Sequence, residues 1–136
     1  MIEYKQLVLD KNEITNLYNS VGWSAYLKDN ETLFEGIKNS LFSYAAYQND
    51  KLIGLIRVVG DGKTIVYIQD ILIDPSFQNN KIGSNLLSYI LHKFKDVRQI
   101  LLTTDKNVKT MNFYKNNGFV NYEDINLVGY MKKKGE

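Results

Sequence analysis

The stretch "ILIDPSFQNNKIGSNLL", residues 71–87, decides how the chain folds. An apolar run of strand character stops at Pro75, the chain's only proline. Proline lacks the N–H that a sheet ladder needs, so the strand ends there. A polar loop follows, and a glycine at 83 marks the opening of an amphipathic helix over residues 81–94. Ile82, Leu86, Ile90 and Phe94 share one face of it, joined by Leu87 and Leu91. A further apolar run at residues 98–104 reads as a buried strand. A strand, a helix and another strand form a crossover, which sets residues 64–73 and 98–104 parallel.

Outward from this unit, the remaining elements are antiparallel in character. Residues 2–9 read as a first strand. Ile14, Leu17, Tyr18 and Val21 follow helical spacing, and Gly22 ends that helix. A second helix begins near Asn30 and presents Leu33, Ile37 and Leu41. Residues 43–47 and 52–59 are strands joined by an Asn49-Asp50 turn, and "GDG" at Gly60, Asp61 and Gly62 turns the chain into the long strand at 64–73. Residues 107–116 form a helix stopped by Gly118, and residues 119–122 and 127–131 close the chain as two short strands. The expected order is β-α-α-β-β-β-α-β-α-β-β. This is an α+β fold with a mixed, mostly antiparallel sheet, and one domain over residues 1–136.

Composition narrows the chemistry. The 17 basic and 15 acidic residues leave a net charge of +2, too small to argue for nucleic acid or an anionic membrane. The closing MKKKGE reads as a solvated tail. With no cysteine there are no thiolate nucleophiles or disulfides, which fits a cytoplasmic protein. His92 is the only histidine, so a Ser-His-Asp triad or a zinc site would depend on a residue placed mid-helix. No metal site is expected. The N-terminus has no apolar signal core, and no apolar run is long enough to span a bilayer.

The loop from residue 78 to residue 84 enters a helix at the carboxyl end of a strand. The first amides of a helix lack backbone partners and sit at its positive end, where an anion binds. Gly83 leaves bare backbone for such an approach, whereas Lys81 does not, although its ammonium adds charge. From the residues alone, the loop is either an anion cradle or a plain connection. It is not a P-loop, because no G-K-[S/T] ends it, and it lacks the G-x-G-x-x-G dinucleotide pattern. A second stretch, "DKNVKTMNFYKNNGF" at residues 105–119, holds Phe113-Tyr114 near a helix end. Tyr114 is either a core aromatic or a phenolic acid able to protonate a thiolate of similar basicity.

Together the two stretches resemble the GCN5-related N-acetyltransferase (GNAT) superfamily over nearly the full length. The family loop R/Q-x-x-G-x-G/A corresponds to Gln78-Asn79-Asn80-Lys81-Ile82-Gly83. The family's N-x-x-A-x-x-F-Y-x-x-x-G-F corresponds to the run starting at Asn107, with Phe113, Tyr114, Gly118 and Phe119 matching. Lys81 replaces the first motif glycine, and Thr110 replaces a small alanine.

The resemblance implies an N-acetyltransferase that uses acetyl-CoA as acyl donor, without a metal, on a primary amine of a small molecule. The alternatives are a protein or peptide amine as acceptor, or a non-catalytic acyl-CoA-binding module. Backbone from Gln78 through Asn79, Lys81, Ile82 and Gly83 to Ser84 would hold the pyrophosphate. The parallel strands would splay to admit pantetheine along Ile71, Leu72 and Ile73. The Leu72 amide would polarise the thioester carbonyl. Asn107 would touch the pantetheine arm, Phe113 would flank the site, and Tyr114 would protonate the departing thiolate. Asp70, opposite Ile71 by alternation, is either a base or ammonium ligand for the acceptor or a structural carboxylate, with Gln69 facing the other way. Trp23 and Tyr26 would form an aromatic wall for the acceptor or pack in the core. Edge strands near the C-terminus would suit a homodimer.

Overall fold

The structure is a computed structural model that describes residues 1–78 and 80–135, without the side chains of Ser24 and Leu27. The chain divides into two compact units, Met1–Thr103 and Thr104–Glu136.

The first unit carries β1 (Glu3–Gln6), α1 (Lys11–Ser20), α2 (Ser24–Leu27), α3 (Asn30–Lys38), β2 (Phe42–Gln48), β3 (Lys51–Gly60), β4 (Ile65–Ile73), α4 (Ile82–Lys93) and β5 (Gln99–Leu102). The five strands lie in the order β1-β2-β3-β4-β5. Every neighbouring pair is antiparallel except β4 and β5, which are parallel as the crossover requires. Asn49 and Asp50 both take positive φ (51° and 65°), the conformation of a two-residue hairpin turn. At the next turn the Asp61 carboxylate accepts the amides of Lys63, Thr64 and Ile65 and the Thr64 hydroxyl. Bonding by that hydroxyl and those amides holds the Asp61 carboxyl well below the usual carboxylate range.

Helices cover both faces of the sheet. On one face, Ile14, Leu17 and Tyr18 of α1 and Leu33 and Ile37 of α3 pack with Ala45, Leu55 and Leu72 from the strands. Asp10 and Asp29 cap these helices by accepting the amides of Glu13 and Thr32. On the other face, Ile82, Leu86, Leu87 and Ile90 of α4 are buried. Gly54 makes room there, since a Cβ at that position would lie 3.0 Å from the Ile82 side chain. Leu41 is a correction to the expected helix face: α3 ends at Lys38, and Leu41 lies beyond it, 39% exposed.

The second unit carries α5 (Val108–Asn116), capped by the Asn107 side chain, and a 3-10 turn at Tyr122–Ile125. The two expected closing strands do not form. Residues 119–121 lead into the 3-10 turn, and residues 127–131 join no strand ladder.

Candidate active site

The site is built around a bulge in β4. Arg57 of β3 pairs with Asp70 and Val58 pairs with Ile68, so Gln69 has no residue opposite it. An extra residue of this kind bends a strand and adds local twist. Pairing with β5 stops at the same point: β5 accompanies β4 through residues 65–68 only. Past the bulge, β4 runs four residues further with no strand on that side among the described residues. This is the splay expected of the parallel pair.

Hydrogen-bond alternation shows which amides face the gap. Below the bulge the Thr64 carbonyl accepts from Gln99 of β5, so even-numbered residues face β5 there. Above it the Asp74 amide donates to the Ile53 carbonyl of β3, so even-numbered residues face β3. Leu72, directly opposite Leu55, therefore spends its amide on the β3 ladder. Ile71 and Ile73 present theirs to the gap. The Leu72 amide, which the resemblance offered as the oxyanion donor, thus faces β3, and the amides on either side of it face the gap.

The gap leads to α4. Asp74 caps a 3-10 turn at Pro75–Phe77 by accepting the Ser76 amide, and its other carboxylate oxygen lies 3.6 Å from the Lys51 ammonium. Gln78 is exposed beyond the turn, and Asn79 lies outside the described residues. Lys81 occupies the N-cap of α4 in the left-handed conformation (φ 59°, ψ 20°) and makes no side-chain cap bond. The first helical backbone bond runs from Asn85 to the Lys81 carbonyl. The amides of Ile82, Gly83 and Ser84 precede it, which is the uncapped donor array an anion needs. The left-handed φ explains why a glycine suits position 81, and it costs the lysine about 1 kcal/mol or more of strain.

On the α1 face of the bulge lies a buried network that the sequence reading only touched. Asp70 is 3% exposed. Its Oδ1 accepts the Tyr26 hydroxyl at 2.8 Å, and its Oδ2 accepts the Tyr18 hydroxyl at 2.9 Å and the Arg57 Nε at 2.8 Å. Arg57 Nη1 reaches the Ser40 hydroxyl at 3.2 Å. Burial and the neighbouring Asp70 carboxylate both push the Tyr18 and Tyr26 hydroxyls up. Burial alone would lower the Arg57 guanidinium, but Asp70 beside it raises it, so Arg57 stays charged. Gln69 Nε2 lies 3.5 Å from the Tyr26 hydroxyl. The bulge thus turns Gln69 to the same face as Asp70, a correction to strict alternation.

Tyr26 and Trp23 are brought to this network. Tyr26 meets the Tyr18 ring edge-on at 5.2 Å, and Trp23 stands 5.9 Å from Tyr18 and 6.1 Å from Tyr26. Both are half-buried, Trp23 against the core cluster and Tyr26 with its hydroxyl on Asp70. Tyr18 and Arg57 were missed as site residues. The signal was present in "LIGLIRVVG", residues 52–60, where one charge sits inside an apolar strand and needs a buried counter-charge.

In the second unit Tyr114 is buried between Phe113 (5.1 Å, near-perpendicular) and Phe119 (5.7 Å, near-perpendicular). Burial pushes its phenol up to about 12. Asn107 spends its side-chain oxygen on the Thr110 amide as the α5 cap. Its amide nitrogen is the group left for a ligand.

Comparison with known proteins gives this arrangement a family. The family model described as "Acetyltransferase (GNAT) family" matches residues 10–119. A relative named "Uncharacterized N-acetyltransferase ycf52-like", from Prochlorococcus marinus, is 32% identical over 117 residues. That match covers 82% of this chain and 63% of the relative's length. A solved GNAT-family acetyltransferase from Streptococcus pneumoniae TIGR4 is 34% identical, covers 100% of both chains and superposes with a TM-score of 0.89. A probable acetyltransferase from meticillin-resistant Staphylococcus aureus is 28% identical, with a TM-score of 0.81 over 98% of this chain and 100% of its own.

Proposed function

We propose, from the premise that the chain belongs to the GNAT family of acetyltransferases, that it moves an acetyl group from acetyl-CoA to the primary amine of a small molecule. The observation that carries this reading is the pair of free backbone donor sets, one at the open edge of β4 and one at the uncapped start of α4. The two sets suit an extended pantetheine arm and a pyrophosphate. When bound, acetyl-CoA supplies an acyl group already activated as a thioester.

The chain's own residues divide the remaining work. The Ile82, Gly83 and Ser84 amides hold the pyrophosphate, with the Lys81 ammonium adding charge nearby. The Ile73 backbone pairs with the pantetheine amides. The Ile71 amide, aimed into the gap, donates to the thioester oxygen as it gains negative charge under attack by the amine. Tyr114 gives its proton to the departing thiolate. Its raised pKa keeps it in the acid form throughout the physiological range. Asp70 already accepts three donors, so its role is to hold Tyr26 and Arg57 in place. The amine then arrives as its free base or loses its proton to water. Trp23 and Tyr26 form the apolar, aromatic side of the acceptor site, which suits a compact amine.

The test is a panel of small amines and lysine peptides assayed for thiol release, alongside calorimetry with acetyl-CoA. Turnover of a small amine that Tyr114→Phe lowers at least ~10²-fold, with acetyl-CoA affinity kept, is the expected result. Failure to bind acetyl-CoA overturns the reading. Binding without turnover of any amine reduces the protein to an acyl-CoA-binding module.

A further inference from the structure

Asp70 holds two tyrosine hydroxyls, and the two differ in what else can reach them. Tyr18 donates at 2.9 Å and Tyr26 at 2.8 Å. Tyr18 is 0% exposed and lies inside the core cluster. Tyr26 is half-buried, and the exposed Gln69 lies beside its hydroxyl. A phenol has one proton to give. With that proton committed to Asp70, each phenol oxygen can only accept. The Tyr18 oxygen is closed to a ligand, whereas the Tyr26 oxygen sits at the rim of the network.

The surroundings of the Tyr26 oxygen favour a donor. Its bond to a buried carboxylate draws charge onto the oxygen and makes it a stronger acceptor than a free phenol. Gln69 Nε2 lies 3.5 Å from it, which leaves Gln69 Oε1 as a second acceptor. Arg57, the cation of the network, is 7% exposed and turns Nε to Asp70 and Nη1 to Ser40. The network thus turns lone pairs outward and keeps its cation inward. Asp70 is also the first residue of the open half of β4, next to Ile71, whose amide faces the gap.

We propose that Tyr26 Oη receives an N–H of the acetyl acceptor, and that this selects primary amines with no carboxylate on the carbon that bears the nitrogen. The inference rests on the acetyl-transfer reading above. One N–H held by Tyr26 fixes the nitrogen and leaves its lone pair free to attack. A carboxylate on the same carbon would lose its hydration and meet oxygen lone pairs in place of donors. An apolar substituent there meets the rings of Trp23 and Tyr26 instead, which stand 6.1 Å apart. Tyr26 is therefore a specificity-determining residue, and Tyr18 is its buried counterpart on the same carboxylate.

Trp23 is the chain's only tryptophan, so its fluorescence reports binding beside Tyr26 without any turnover. Isobutylamine and valine differ only by the carboxylate. The full chain, saturated with coenzyme A, should bind isobutylamine at least about tenfold more tightly than valine. Tyr26→Phe should weaken isobutylamine binding roughly tenfold and reduce that preference. Tyr18→Phe should instead cost stability in chemical denaturation. Equal binding of the two probes, no binding of isobutylamine, or an unchanged affinity in Tyr26→Phe overturns the proposal. So does an equal loss of affinity in Tyr26→Phe and Tyr18→Phe, since the buried hydroxyl cannot touch a ligand and the effect would then pass through Asp70. Calorimetry with coenzyme A on the same sample separates the two readings. No coenzyme A binding overturns acetyl transfer and this assignment together, whereas coenzyme A binding without the expected amine preference overturns this assignment alone.

Discussion

The two halves of β4 share one strand and do different work. Residues 65–68 are paired on both sides, with β3 and with β5, and Val66 and Ile68 are buried. Residues 70–73 keep β3 but have no strand on the other side among the described residues, so two backbone amides stay available. The closed half stabilises the sheet, while the open half leaves hydrogen-bonding capacity for a ligand. One bulged residue divides them. The buried ion pair of Asp70 and Arg57 sits at the division and braces the open half from the face opposite α4.

Breaking the brace should produce the largest effect. Asp70→Asn leaves the Arg57 charge buried without its anion, at an expected loss of about 3–5 kcal/mol in chemical denaturation. If Asp70 were instead mainly a base, turnover would collapse while stability held.

The next test separates adjacent amides of the open half. A backbone ester at Ile71 deletes only its N–H, and should cut kcat about 10²-fold with little change in stability. The same ester at Leu72 should cost about 1 kcal/mol of stability and leave kcat nearly unchanged. Reversed outcomes would mean that the alternation above the bulge runs the other way.

Lys81 bears on where the open half leads. Lys81→Gly relieves a left-handed residue and should raise stability by about 1 kcal/mol. Acetyl-CoA affinity should hold or tighten. A large loss of affinity would make the ammonium itself a ligand.

The smallest effect concerns pH. The Tyr114 phenol has an ordinary unfolded value near 10 and a folded value of about 12. The native state therefore keeps a proton that the unfolded chain releases. Its contribution to stability is complete below pH ~10 and is lost as pH rises toward ~12. Tyrosinate absorbance during an alkaline titration should show several late-ionising residues, one of which Tyr114→Phe removes. Tyr18 ionises later still, being raised further by burial and by Asp70.

Much of this architecture was legible in the sequence because it rests on periodicity. The crossover around "ILIDPSFQNNKIGSNLL", the three-strand meander and the faces of α1 and α4 follow from apolar spacing and turn residues alone. The bulge was not legible. A single extra residue leaves no mark in a run as apolar as residues 65–73, and it sets which way the amides of residues 71–73 and the side chain of Gln69 face. Arg57 and Asp70 were visible as charges in buried strands, but their pairing depends on register. The closing strands were expected from composition at 127–131. Composition identifies a strand-former without supplying its partner, and residues 127–131 join no ladder among the described residues.

Gln69 has one more consequence, for engineering. Deleting it removes the residue that has no counterpart on β3 and leaves the alternation on either side in phase. β4 would then run straight, free to zip further along β5. The resulting chain would be shorter by one residue and better paired. On the function proposed above, a single removable spacer thus holds open the strand edge that the cosubstrate would use.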